Sequence, residues 1–164
     1  MDGLKEVVEK ISSYSIFNYL LPGTLFCFIL RDLIGYNLIQ DNILIAAFLY
    51  YFIGLVVSRV GSVIIEPFLK KVKFVKFAGY KEYVAATKVD GKIDLLSEVN
   101  NTYRSILSMV TLLCLSKLYM SIKFWLKISH DTTQLLLAIG LLILFLFSYR
   151  KQTNYISKRV KANT

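Results

Sequence analysis

ILIAAFLYYFIGLVVSRVGSVII, residues Ile43 to Ile65, decides the fold. The stretch is 23 residues long and carries one charge, Arg59. At about 1.5 Å per residue a helix of that length reaches roughly 35 Å, enough to cross a hydrocarbon core of about 30 Å with some tilt. A soluble domain of 164 residues needs no such helix. The chain reads as an integral membrane protein, and the remaining segments are to be arranged around this span.

Composition agrees. Hydrophobic residues make up 55% of the chain and the mean hydropathy is +0.54. The apolar residues are gathered in blocks rather than in amphipathic stripes, which favours a bilayer over a water-facing core. The net charge is +9, with Lys and Arg clustered between the blocks. The default reading of such a balance is that it keeps loops on the cytoplasmic side and against anionic lipid; a specific anionic ligand is the sharper alternative, and the two can coexist. Cys27 and Cys114 lie inside apolar blocks, where cysteine behaves as a small hydrophobe. With a single histidine far from either, no metal site and no disulfide framework is expected. The first apolar block is followed by Arg31-Asp32 and by no small-residue cleavage site, so it reads as a retained span.

Taken in order, residues 1–13 place Leu4, Val7, Val8 and Ile11 at helical spacing, an amphipathic helix for the membrane surface, for a partner helix, or as a solvated entry to the first span. Tyr14 to Leu30 forms that span, extendable toward Gly35, and forms with Ile43–Ile65 a hairpin over 14–65. It contains Asn18 and Pro22. Proline has no N–H, so the Asn18 carbonyl four residues earlier loses its helical partner; the pair reads either as a packing kink or as a hinge or pore-lining position. In the second span Gly54, Ser58, Gly61 and Ser62 make one small-residue face for close helix approach. Arg59 beside it either snorkels to the interface or faces a water-filled interior.

Residues 66–104 form the one long polar segment, a compact helical cap with a helix near Lys81–Thr87 and a turn at Val89–Lys92. A further helix begins near Ile93, with an unbroken run into the next span as one reading. Ser105–Ile122 is the third span; its Ser105, Ser108, Thr111 and Cys114 recur every third residue and suit the small face of span two. Lys117 interrupts it, either snorkelling outward or facing a cavity. Gln134–Tyr149 is the fourth, lipid-facing, and completes a second hairpin over 105–149 before a basic tail, 150–164. Lys and Arg number 15 on the side of the termini and cap against 3 on the other side. The positive-inside rule puts both termini and the cap in the cytoplasm. The expected fold is an all-α membrane protein of four transmembrane helices with a basic helical cap between spans two and three.

No nucleophile, base and orienting group can be assembled and no phosphate loop appears, so an enzyme is not expected and no cofactor is implied. The cap instead interleaves Phe, Tyr and Lys. Cations on phosphates with aromatic faces on bases is how single-stranded nucleic acid is gripped; anionic headgroups use the same cations. Lys70 to Lys76 emerge directly from the membrane and suit lipid. For a soluble ligand the candidate residues are Lys73, Lys76, Tyr80, Lys81, Asn100, Asn101 and Arg104, the amides for base edges and Arg104 for a phosphate. Candidate pore or hinge residues are Asn18, Pro22, Arg59 and Lys117.

Two stretches, SIFNYLLPGTLF in the first span and LLSEVNNTYRSILSM at the entry to the third, together cover about a sixth of the chain. They resemble small four-span bacterial membrane effectors of anti-phage defence cassettes, of the CBASS-like and Hailong-type kinds. The resemblance implies an inner-membrane effector that depolarises or damages the membrane when a nucleotide or oligonucleotide signal changes, with a nucleotidyltransferase as partner. For the Hailong type it implies a single-stranded deoxyadenylate, a single-stranded DNA ligand, on a multimeric channel. Four spans are too few to enclose a pore, so a channel needs a homo-oligomer such as a tetramer. The expected function is a ligand-gated channel among membrane lipids. A non-conducting scaffold that recruits a cytoplasmic partner through the cap is the alternative, and a small transporter a third.

Overall fold

Asn42 starts the second span. Its side-chain oxygen accepts hydrogen bonds from the N–H groups of Leu44 and Ile45 at 2.9 and 3.2 Å, satisfying two of the donors that a helix start leaves open. In the computed structural model, which describes residues 15–163, the helix it begins runs far beyond Ile65. Five helices result: α1 (Ile16–Ile34), α2 (Ile43–Lys71), α3 (Tyr80–Val89), α4 (Lys92–Leu126) and α5 (His130–Asn163). The described residues contain no strand. Helices α1, α2, α4 and α5 are each long and apolar enough to cross a membrane. The chain is an all-α, multi-pass membrane protein. The amphipathic segment 1–13 lies outside the described residues.

Helix α1 ends where Gly35 takes φ +73°, the left-handed turn that closes a helix cheaply only without a side chain. Its contact with α2 is backbone against backbone. A Cβ placed on Gly23 would collide with the Tyr50 carbonyl and lie 2.7 Å from the Gly54 nitrogen; one placed on Gly54 would collide with the Tyr19 carbonyl. Around this contact Cys27, Ala46 and Tyr50 form one buried cluster. Leu30, Val57, Met109 and Leu113 form a second, which brings α4 against the pair. The serine stripe of α4 meets the small face of α2 as expected at its first half. Ser108 donates to the Val57 carbonyl at 2.7 Å, and both Ser105 and Ser108 are fully buried. The match ends there, with Thr111 half-buried and Cys114 exposed. Helix α5 leans on α2, where Phe145 stacks on Phe52 at 6.3 Å, and most of its apolar stretch is left unburied.

Both α1 and α2 carry a π-turn, Ile16–Leu20 and Gly61–Ile65, and each is followed at its second residue by proline, Pro22 or Pro67. Leu21 donates to the Ile16 carbonyl and Glu66 to the Gly61 carbonyl, five residues back instead of four. In that register the donor due to the Ser62 carbonyl would be residue 67, which is proline and has none. Both turns lie at the end of the bundle that α4 enters, Asn18 beside Val99 and Thr102 and Gly61 beside Arg104.

Two expected boundaries shift. Pro67 falls in the first turn after the π-turn, where a missing N–H is tolerated, so α2 passes through it to Lys71. The tail 150–164 is not a separate segment, because α5 continues to Asn163. With α4 unbroken from Lys92, the cap reduces to α3 and its flanking turns, set among extensions of three long helices.

Candidate functional site

Helix α3 is capped and placed by contacts of its N-terminal half. The Gly79 N–H donates to Glu82 at 3.0 Å, capping its first turn, and Tyr83 donates to Asp94 at 2.9 Å, tying it to α4. Tyr80 meets Tyr155 of α5 edge-on at 5.5 Å. Beside these contacts lies an open cavity of about 900 Å³ lined by α2, α3, α4, α5 and the turn before α3. It follows α2 from Arg59 to Lys70, roughly 16 Å along the helix. Seven cationic side chains line it: Arg59 and Lys70 from α2, Arg104 from α4, and Arg150, Lys151, Lys158 and Arg159 from α5. Glu66 is the one carboxylate among the lining residues.

Glu66 is buried and joins three helices. Its Oε2 accepts from Arg104 at 2.6 Å, while its Oε1 accepts from Lys70 at 2.9 Å and more weakly from Lys151 at 3.4 Å. Lys151 is held chiefly by Ser62, donating to its backbone carbonyl at 2.6 Å and its Oγ at 2.8 Å. The carbonyl is the one that Pro67 leaves without a helical donor, so the π-turn and the lysine satisfy each other. Lys70 also lies 4.0 Å over the Phe77 ring. Deeper in, Arg59 donates to the Tyr19 hydroxyl at 3.3 Å. The Nε atoms of Arg59 and Arg104 are buried without a hydrogen-bond partner. On the Tyr83 phenol a bond from Ser97 favours ionisation, but burial and the Asp94 charge outweigh it and raise the pKa.

Of the residues expected at a soluble-ligand site, Tyr80, Asn100, Asn101 and Arg104 line the cavity. Lys73, Lys76 and Lys81 do not. Lys73 takes φ +60° in the turn that reverses the chain after α2, leaving it and Lys76 outside. Lys81 is exposed because α3 turns Tyr80, Tyr83 and Val84 inward, and a residue one step from Tyr80 falls off that face. Lys70, expected against lipid, is turned into the cavity.

Among the expected pore or hinge residues, Arg59 is half-buried and lines the cationic cavity. Asn18 is 1% exposed, enclosed within the single chain. Its amide atoms have no hydrogen-bond partner, and it borders a second, mainly apolar cavity of about 380 Å³ with Leu95, Val99 and Thr102. Pro22 is fully buried behind its π-turn. Lys117 is exposed and donates to the Leu33 carbonyl at 3.0 Å, closing the end of α1.

Sequence reasoning missed Glu66, Lys151, Tyr155 and Lys158. A signal was present: Leu144, Ser148, Lys151, Tyr155 and Lys158 follow one another at alternating intervals of four and three, a single helix face running from membrane to tail.

In chemical terms the cavity offers guanidinium forks and ammonium points for phosphates, aromatic rings for bases, and four side-chain amides, Asn100, Asn101, Gln152 and Asn154, for polar edges. No protein-family model, curated protein or solved structure matches this chain.

Proposed function

We propose that this chain is a homo-oligomeric channel effector of the bacterial inner membrane, of the kind used in anti-phage defence, gated by a nucleotide or a single-stranded oligonucleotide bound in the cationic cavity. The observation that carries the reading is the cavity's lining: seven cations against one carboxylate, with Tyr80, Tyr83, Tyr155 and Phe77 among them. That combination suits a short polyanion with flat bases. The excess of Lys and Arg on this side supports a cytoplasmic position for it and for both termini. Coupling to the membrane runs through the helices themselves, since the three that supply the cations are also candidate spans. Most of the apolar stretch of each span is left unburied within one copy, which leaves apolar surface for neighbouring copies as well as lipid.

The test is ion flux from liposomes containing the purified protein, with and without short single-stranded oligonucleotides. Flux that the oligonucleotide opens or shuts is expected. Absence of flux under every condition, from folded oligomeric protein, sinks the channel and favours a scaffold that uses the same cavity to recruit a partner.

A further inference from the structure

Charge does not balance around Glu66. One carboxylate, its side chain 10% exposed, faces Lys70, Arg104 and Lys151, side chains 44%, 17% and 31% exposed. The cluster is left with two uncompensated positive charges. Like charges gathered on one carboxylate repel one another. The arrangement therefore favours the arrival of more negative charge. Its geometry is already that of an anion site, with donors from α2, α4 and α5 converging on two carboxylate oxygens at 2.6 to 3.4 Å. The buried Arg104 Nε still has an N–H to give.

We propose that Glu66 occupies, in this conformation, a phosphate subsite: its carboxylate stands in for a ligand phosphate, which on binding takes over Arg104, Lys151 and Lys70. This inference rests on reading the cavity as an anion site. A terminal phosphate carries up to two charges and three strong acceptor oxygens, against one charge and two oxygens for the carboxylate. A phosphodiester, with a single charge, replaces Glu66 without improving the balance. The subsite therefore selects terminal phosphate or pyrophosphate groups over internal diesters. A soluble nucleotide and the headgroup of phosphatidic acid both present this chemistry. Displacement of Glu66 also has a mechanical result: α2 exchanges its ion pairs to α4 and α5 for contacts through the ligand.

Glu66→Gln keeps the shape of the side chain and removes the competing charge. Titrate the full-length protein in phosphatidylcholine nanodiscs with inorganic pyrophosphate at constant ionic strength. In parallel, count by native mass the lipid retained from nanodiscs doped with phosphatidic acid. Tenfold or greater tightening in the variant is expected for at least one probe. Tightening toward pyrophosphate supports the subsite and a soluble ligand. Tightening toward phosphatidic acid alone supports the subsite while removing the soluble ligand of the proposed function. Equal or weaker binding of both probes overturns the inference. Should Glu66→Gln fail to fold, Glu66→Asp withdraws the charge by one methylene; about threefold tightening is expected, and none overturns the inference as well.

Discussion

Replacing Gly54 with Ala tests the contact on which the whole bundle is aligned. The added Cβ would collide with the Tyr19 carbonyl and stand 2.9 Å from the Tyr19 Cα, where ordinary contact begins near 3.4 Å. Both obstacles are backbone, so no side chain can swing aside and α1 must retreat by more than an ångström. A radial gap of 0.5 to 1 Å already forfeits about a quarter to a half of each dispersion contact. The cluster of Cys27, Ala46 and Tyr50 straddles this seam and would loosen with it. Overpacking costs about 1 to 3 kcal/mol in general, and a backbone-on-backbone clash belongs at the upper end. The helix-propensity gain of Ala over Gly returns about 1 kcal/mol. A net loss of about 2 kcal/mol remains, roughly 5 °C or more in the unfolding midpoint. Gly140→Ala is the control, because nothing lies within 4 Å of its Cβ position and only the propensity gain applies. The assay is the fraction of protein that elutes as folded species after heating in mild detergent. Equal midpoints for the two variants would refute the close approach of α1 and α2.

Four further outcomes are expected. Arg104→Ala weakens oligonucleotide binding and lowers its salt slope by about 0.7, whereas Lys81→Ala, on the exposed face of α3, changes neither; binding isotherms at three salt concentrations check both. Lys151→Met removes the donor to the Ser62 carbonyl, a charge-assisted bond worth about 1.5 to 3 kcal/mol. Amides of residues 152–158 then exchange roughly tenfold faster by hydrogen-exchange mass spectrometry. Ser108→Ala loses the bond to the Val57 carbonyl and about 1 kcal/mol, readable as a lowered midpoint in the same heating assay. Mass measured in detergent gives an oligomer, and a monomer would count against the channel.

Hydropathy alone exposed the four long helices, since a block such as Gln134–Tyr149 has no other use. The spacing of Gly54, Ser58 and Gly61, and of Ser105 and Ser108, likewise announced close packing, and the sequence anticipated Tyr80, Asn100, Asn101 and Arg104 at the cavity. The rest of the site was hidden for a definite reason. Lys151 follows the last apolar residues and looks like any basic residue outside a membrane; it becomes a cavity residue only because α5 keeps turning and carries it onto the face of Ser148. Glu66 looks like a helix-terminal acid beside proline. Its three partners come from positions 4, 38 and 85 residues away. Pairing over such distances is set by how helices are rotated against one another, which periodicity within one segment does not report. Lys81 is the opposite case: Tyr80 beside it lines the cavity, while its own phase on the helix turns it outward.

The π-turn in α2 can be viewed as a dislocation, one surplus residue lodged in an otherwise regular rod. An α-helix advances by 100° per residue, so absorbing that surplus would rotate everything beyond it by about that angle relative to the membrane half. Glu66 and Lys70 stand beyond it; Gly54 and Val57, which grip α1 and α4, stand before it. Lys151, fastened to the Ser62 carbonyl, pins the fault in place. The register of the far end of α2 is therefore offset from that of the near end, and undoing the offset would require Lys151 to let go of the Ser62 carbonyl.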